Sequence, residues 1–190
     1  TTFTYDANGW ITEVTDALAH APVQNTYENP QAGAVVANVG KVTKQKIASN
    51  HETTFGYNGD RTTMTDPLAQ ATIYDYDTLG RLILQTDPDA LITVFEYDAD
   101  NNRTKVTDRN GNVTRYEYDA RGNMTKKTDA AGNTVIITYN AQNLPLTKTD
   151  EAGQLTQFEY DDHGNVTKTT DALGQQWSRE YNSNGLLLKE

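Results

Sequence analysis

The residues with the strongest claim to chemistry in this chain are its acids and amides. Asp98, Asp100 and Asn102 share the D-x-D-x-N opening of a calcium loop, and Asp108, Asn110 and Asn112 do likewise. An EF-hand loop also needs Gly at its sixth position and Glu at its twelfth. The first run has Arg103 and Arg109 there, and the second has Val113 and Asp119. Both runs therefore read as Asx-rich hairpin turns. The three histidines, His20, His51 and His163, are scattered, with no second histidine at metal-ligand spacing. Cysteine is absent and the serines are Ser49, Ser178 and Ser183, so no nucleophile stands out beside a base. Carboxylates are plentiful, but they recur at one place in every segment, whereas a catalytic pair is unique in its setting. No catalytic, metal-binding or cofactor-binding residue is assigned, and the chain reads as a non-enzyme.

Composition sets the outer limits. The chain has 190 residues, 16 basic and 26 acidic, for a formal charge of −10. That balance repels nucleic acid and anionic membrane, and no Lys/Arg cluster overrides it. No apolar run approaches the ~20 residues of a transmembrane helix. No signal peptide is read, and the first residue is Thr1 rather than Met. Abundant Thr, Asp, Asn, Gly and Tyr suit strands and turns better than helices.

The acids belong to a repeat. Tyrosines fall every 21 residues at Tyr76, Tyr97, Tyr118, Tyr139, Tyr160 and Tyr181. The next residue is Asp77, Asp98, Asp119, Asn140, Asp161 or Asn182. Ten residues after each of the first five comes Thr-Asp, ending at Asp87, Asp108, Asp129, Asp150 and Asp171, and Tyr5 stands in the same relation to Thr15-Asp16. Upstream the register is worn. Val36 to Gly56 is a degenerate unit, the unit from Tyr57 to Asp75 is two residues short, and residues 27–35 (YENPQAGAV) read as an inserted loop. Residues 1–190 are thus one continuous array. It begins in the last strand of one unit and stops inside another, as expected of a piece of a longer array.

Each unit carries two turn signals. The first is D-x-x-G directly after the Tyr, as in Asp119 to Gly122 and Asp161 to Gly164, with Gly9, Gly80 and Gly185 in the same place and Asn101 or Asn143 as substitutes. The second follows Thr-Asp, as in Asp129 to Gly132, and ends at Gly111, Gly153 or Gly174 elsewhere. Asp at the first position and Gly at the fourth describe a type I turn with a bulge. Ala19, Ala69 and Ala90 break the rule, so those hairpins are expected to be strained or to use another turn. The strand before each Tyr alternates. One face carries Phe3 and Tyr5, Phe55 and Tyr57, Tyr74 and Tyr76, Phe95 and Tyr97, Tyr116 and Tyr118, Ile137 and Tyr139, Phe158 and Tyr160. The other carries Glu96, Arg115, Glu117, Gln157 and Glu159. Period two with one apolar face is a half-buried strand. The companion strand alternates less well, with Lys105, Lys126 and Lys168 at one matching position. The fold class is all-β: tandem antiparallel hairpins with an aromatic ladder on one face. At about 4.8 Å per strand the ribbon would run to about 85 Å, and strand twist would coil it. A ribbon cut from its array would also expose unpaired edges and invite edge-to-edge association.

The unit from Tyr118 to Tyr139, YDARGNMTKKTDAAGNTVIITY, closely resembles the YD repeat of the RHS (rearrangement hotspot) family. The resemblance covers nearly the whole chain outside the inserted loop. It implies a β-ribbon that spirals into a cocoon. In bacterial polymorphic toxins and insecticidal toxin complexes such a cocoon encloses a C-terminal toxin domain. Related repeats occur in cell-surface proteins such as teneurins and wall-associated proteins. The implied partners are the rest of the array and a C-terminal toxin or other cargo, and the implied location is secreted or at the bacterial surface. The family's D-P-x-G-Leu type of cleavage segment is missing. Asp87-Pro88-Asp89-Ala90-Leu91 is superficially similar but sits at an ordinary second turn.

Two functional readings follow. One is a structural segment of a shell that sequesters cargo. The other is an adhesive or carbohydrate-binding surface, in which exposed aromatics stack on sugar rings. The plainer reading of the tyrosines is packing against neighbouring hairpins, since cross-strand aromatic pairs stabilise sheets. Trp10, Trp177 and Arg179 depart from the repeat pattern and mark either a local contact surface or drift.

Overall fold

Alternation of β-branched or aromatic residues with polar ones, interrupted by Asx-Gly turns, leaves the backbone one regular option, the antiparallel hairpin. A computed structural model describes residues 1–16, 18, 23–27, 41–47 and 51–190, and none of them is helical. Ala19, most of the inserted loop (28–35), the start of the degenerate unit (36–40), His20 and Ser49 lie outside the described residues. The chain divides into two compact units, Thr1–Val94 and Phe95–Glu190.

The first unit contains β1 (Thr2–Tyr5), β2 (Ile11–Thr15), β3 (Val23–Tyr27), β4 (Val42–Ile47), β5 (His51–Asn58), β6 (Arg61–Thr65), β7 (Ala71–Tyr76), β8 (Leu82–Thr86) and the start of β9 (Ile92–Tyr97). Each pairs antiparallel with the next. Tyr27, read from sequence as the first residue of the inserted loop, closes β3 and pairs with Val42. The two-residue deletion after Tyr57 has a simple structural form. Asn58 pairs directly with Arg61, so the D-x-x-G turn is replaced by a two-residue turn, Gly59-Asp60, with Gly59 at φ 59°. Gly at the first central position with positive φ is the requirement of a type II′ hairpin.

The second unit contains β10 (Arg103–Thr107), β11 (Val113–Tyr118), β12 (Met124–Thr128), β13 (Thr134–Tyr139), β14 (Pro145–Thr149), β15 (Leu155–Tyr160), β16 (Val166–Thr170) and β17 (Gln176–Ser178), then the short pair β18 (Glu180–Tyr181) and β19 (Leu187–Lys189). From β10 to β17 each strand is antiparallel to its successor, and β18 pairs with β19. A register shift falls immediately before Tyr118, Tyr139, Tyr160 and Tyr181, but not at the intervening turns. The bulge thus recurs once per 21-residue unit.

A sheet one layer thick has no interior to fill. Among the described residues only Val135 (8 % exposed) and Thr72 (9 %) are buried. Most strand residues are half-buried, through cross-strand neighbours alone. Leucines at turn tips, Leu68 and Leu173 among them, stand almost fully in solvent.

Candidate functional site

The tyrosine opens the D-x-x-G turn and does two things at once. Its backbone ends a strand, and its phenol reaches back across the preceding strand. Tyr139 Oη donates to the Met124 carbonyl (2.9 Å), Tyr160 to Pro145 (2.7 Å) and Tyr118 to Arg103 (3.0 Å). Tyr57 donates to Val42 and Tyr27 to Ile11, both at 2.7 Å. The acceptor is always the first residue of the strand that follows the previous unit's turn. Each phenol therefore ties one unit to the one before it. Tyr76 follows the shortened turn, and there the Asp60 carbonyl is taken by the Tyr76 amide (2.8 Å). Burial pushes the Tyr118, Tyr139 and Tyr160 phenols above their ordinary pKa, so they stay protonated donors.

Tyr27 was not recognised from sequence as a clamp. It sits one residue out of register with Tyr5 and is followed by Glu28 rather than Asp. The usable signal was the period-two run Val23, Asn25, Tyr27. Trp10, at the place usually held by Asn, packs on this tyrosine with ring centroids 5.3 Å apart. Arg103 lies over both Phe95 (5.8 Å) and Tyr116 (5.7 Å), and Lys41 lies over Tyr57 (4.7 Å). On the tyrosine face, Tyr116 is opposite Lys127, which is opposite Val135; likewise Phe158 is opposite Thr169, which is opposite Trp177. Aromatics of successive units are thus separated by an intervening strand.

The turn acids cap their own turns. Asp119 Oδ1 accepts from the amides of Arg121 (2.9 Å) and Asn123 (3.0 Å), and its Oδ2 accepts from Asn123 Nδ2 (2.9 Å). The Gly122 amide donates to the Asp119 carbonyl (3.0 Å), and Gly122 sits at φ 82°. Asp129 and Gly132, and Asp161 and Gly164, repeat this arrangement. In the first calcium-like run, Asp98 Oδ1 accepts from the Asp100 and Asn102 amides and Oδ2 from Asn102 Nδ2. In the second, Asp108 does the same with Asn110 and Asn112. Among the described residues no group of three or more His, Cys, Asp or Glu side chains converges to hold a metal. Ala69 and Ala90 keep the ordinary turn at φ 63° and 61°, the strained alternative of the two expected.

These bonds set the acidity. The Asn123 side-chain amide is the largest influence holding the Asp119 carboxyl at about 2; desolvation, second in size, opposes it, and the turn amides and Arg121 add to the lowering. Asp108, Asp129 and Asp161 are lowered chiefly by their Asn partners, and Asp77 chiefly by the Arg81 amide. A general base works best with a pKa near the operating pH. These carboxylates are tuned the other way, towards permanent charge and turn capping.

The turns also touch one another. Arg121 donates to the Asn140 carbonyl (2.8 Å), and Asn123 Nδ2 donates to Asn143 Oδ1 (2.9 Å). Between two such turns lies a shallow groove of about 500 Å³ lined by Leu144, Leu146, Tyr160, Asp161 and His163. At the opposite edge, a Cβ added to Gly111, Gly132, Gly153 or Gly174 would meet nothing within 4 Å.

The family model for the RHS Repeat matches residues 58–92, 97–134, 139–176 and 160–190. The chain belongs to the RHS-repeat family. Two solved structures are similar to it in fold. One is the TcdB2–TccC3 crystal structure (TM-score 0.71, 15 % identity, 96 % of this chain and 11 % of that one). The other is a Tc holotoxin pore of Photorhabdus luminescens carrying a substituted TccC3 (TM-score 0.68, 14 % identity, 98 % of this chain and 11 % of that one). The chain therefore spans about a ninth of the length of these structures. No curated protein sequence matches it. Its RHS repeats are structural elements, and no helix among the described residues is long and apolar enough to cross a membrane.

Proposed function

We propose that this RHS array is a segment of a β-sheet wall that sequesters a polypeptide cargo, such as a C-terminal toxin domain, in a secreted or surface-exposed bacterial protein. The observation that carries the reading is the phenol clamp. It commits the hydroxyls of Tyr27, Tyr57, Tyr118, Tyr139 and Tyr160 to the preceding repeat's backbone, and among the described residues only Val135 and Thr72 are buried. A single hairpin is marginal in water, so such a unit is stable only between neighbours. That is the economy of a wall, in which 1–190 acts as one continuous array. The aromatic residues from Phe3 to Tyr181 then serve as its ladder, with Asp98, Asp119, Asp129 and Asp161 and their glycines as its hinges. The likeness in fold to the TcdB2–TccC3 structures supports the reading.

The test uses the protein that carries this array. Limited proteolysis followed by mass spectrometry should leave the C-terminal region intact only while the repeats are intact. Rapid loss of that region from an uncut repeat core would favour an open ribbon. In that case the adhesive or carbohydrate-binding reading, with ligands on the exposed aromatics, would take its place.

A further inference from the structure

The two faces of the sheet carry different charge. Seven acids lie on strands: Glu13, Glu52, Asp75, Glu96, Glu117, Glu159 and Glu180. By the period-two rule every one points away from the tyrosine face. Most meet a base there. Glu52 binds Lys44 (3.0 Å), Glu96 binds Lys105 (2.6 Å), Glu117 binds Lys126 (3.1 Å) and Glu159 binds Lys168 (2.9 Å). Asp75 binds Arg61, and Glu180 is opposite Lys189. The acid-bearing face is therefore neutralised within itself.

The tyrosine face of the Phe95–Glu190 unit is the reverse. It has no strand carboxylate and carries cations on alternate strands. Arg103 on β10 lies over Phe95 and Tyr116. Lys127 on β12 stands between Tyr116 and Val135, and Lys148 on β14 stands between Ile137 and Thr156. Neither lysine has an ion-pair partner among the described residues. The spacing between these cations is two strands, about 9.6 Å. In a chain of net charge −10 this is a local inversion.

We infer that the tyrosine face of this unit docks a polypeptide segment that combines apolar side chains with carboxylates. The apolar groups would lie on Phe95, Tyr116, Ile137 and Phe158, and the carboxylates would meet Lys127 and Lys148. Five-residue strands make the strip only about 17 Å wide. Rows of ionised turn acids bound it, with Asp119 and Asp161 at one edge and Asp108 and Asp129 at the other. A long polyanion such as nucleic acid meets those rows, whereas a peptide with a few acids fits between them. The inference rests on the reading of the array as a wall facing a polypeptide, and it names the facing surface.

The experiment is fluorescence anisotropy with the 190-residue chain. The probes are a labelled peptide of about ten residues alternating Asp with Phe or Leu, the same peptide with Lys for Asp, and an oligo-dT. The acidic peptide is expected to bind and the other two are not. The double variant Lys127→Gln/Lys148→Gln should weaken binding about three- to tenfold, since exposed pairs contribute modestly. Arg115→Glu makes the same change in net charge on the opposite face and should leave affinity within about twofold. Circular dichroism on each variant secures the fold. Equal losses in the two variants, a preference for the basic peptide or the oligonucleotide, or no binding of the acidic peptide would each overturn the inference. None of these outcomes bears on protease protection in the parent protein, so the wall and its facing surface fail separately.

Discussion

Removing one oxygen from Tyr139 isolates the clamp. Tyr139→Phe keeps the ring and deletes only the donor to the Met124 carbonyl, at 2.9 Å and half-buried. A net protein hydrogen bond contributes about 0.5–1.5 kcal/mol, and the freed carbonyl here can partly rehydrate. The expected loss is about 1 kcal/mol. With a urea m-value of about 2 kcal/mol/M the midpoint falls by about 0.5 M. The matched control is Tyr76→Phe, because among the described residues no carbonyl accepts from that hydroxyl and the Asp60 carbonyl is occupied by the Tyr76 amide. It should shift the midpoint by less than about 0.1 M. Tyr118, Tyr139 and Tyr160 each bond a different strand start, so the triple Phe variant should lose about 3 kcal/mol by addition. Urea unfolding followed by circular dichroism reads all four proteins. A neutral Tyr139→Phe, or an equal loss in Tyr76→Phe, would refute the clamp and leave the tyrosines as packing residues only.

Other outcomes follow from the turns and the charges. Asp77, Asp108, Asp119, Asp129 and Asp161 are depressed in the fold, Asp119 to about 2, and unfolded aspartate titrates near ~3.9. Their contribution is therefore complete above about pH 4 and is lost as pH falls towards about 2. Asp119→Asn should flatten that acid limb in urea midpoints measured against pH. Ala90→Gly relieves φ 61° and should stabilise by about 0.5–1 kcal/mol. Gly132→Ala adds a methyl into open space at φ 88° and should destabilise by about 1 kcal/mol from backbone strain alone, read by the same denaturation. Lys126→Ala breaks an exposed pair with Glu117 and should cost about 0.2–1 kcal/mol, a loss that shrinks in high salt.

The turn chemistry was legible in the sequence because its causes are local. Asp at one position and Gly three later dictate both the bonds of Asp119 and the positive φ of Gly122. The alternation of Tyr116, Glu117 and Tyr118 likewise assigned faces correctly. The phenol clamp was not legible, although the tyrosine itself was. Its acceptor is a backbone carbonyl 15 residues upstream of Tyr139, and a carbonyl has no letter in the sequence. The shortened turn at Gly59 was visible as a missing pair of residues, but the loss of the bulge there depends on strand register. Tyr27 was missed because one extra residue displaced it from the period. The charge of the tyrosine face was hidden as well. Lys127 and Lys148 fall on the poorly alternating strand, and only the register of β11 to β15 turns them towards the aromatics.

The locality of the clamp has an evolutionary corollary. The phenol bonds of Tyr57, Tyr118, Tyr139 and Tyr160 each close a loop of 15 residues, and among the described residues no deep core demands that distant units fit one another. Whole units can then be duplicated or deleted with each surviving junction unchanged. The array grows by counting, in steps of 21 residues, and a lineage can resize what it builds without redesigning any contact.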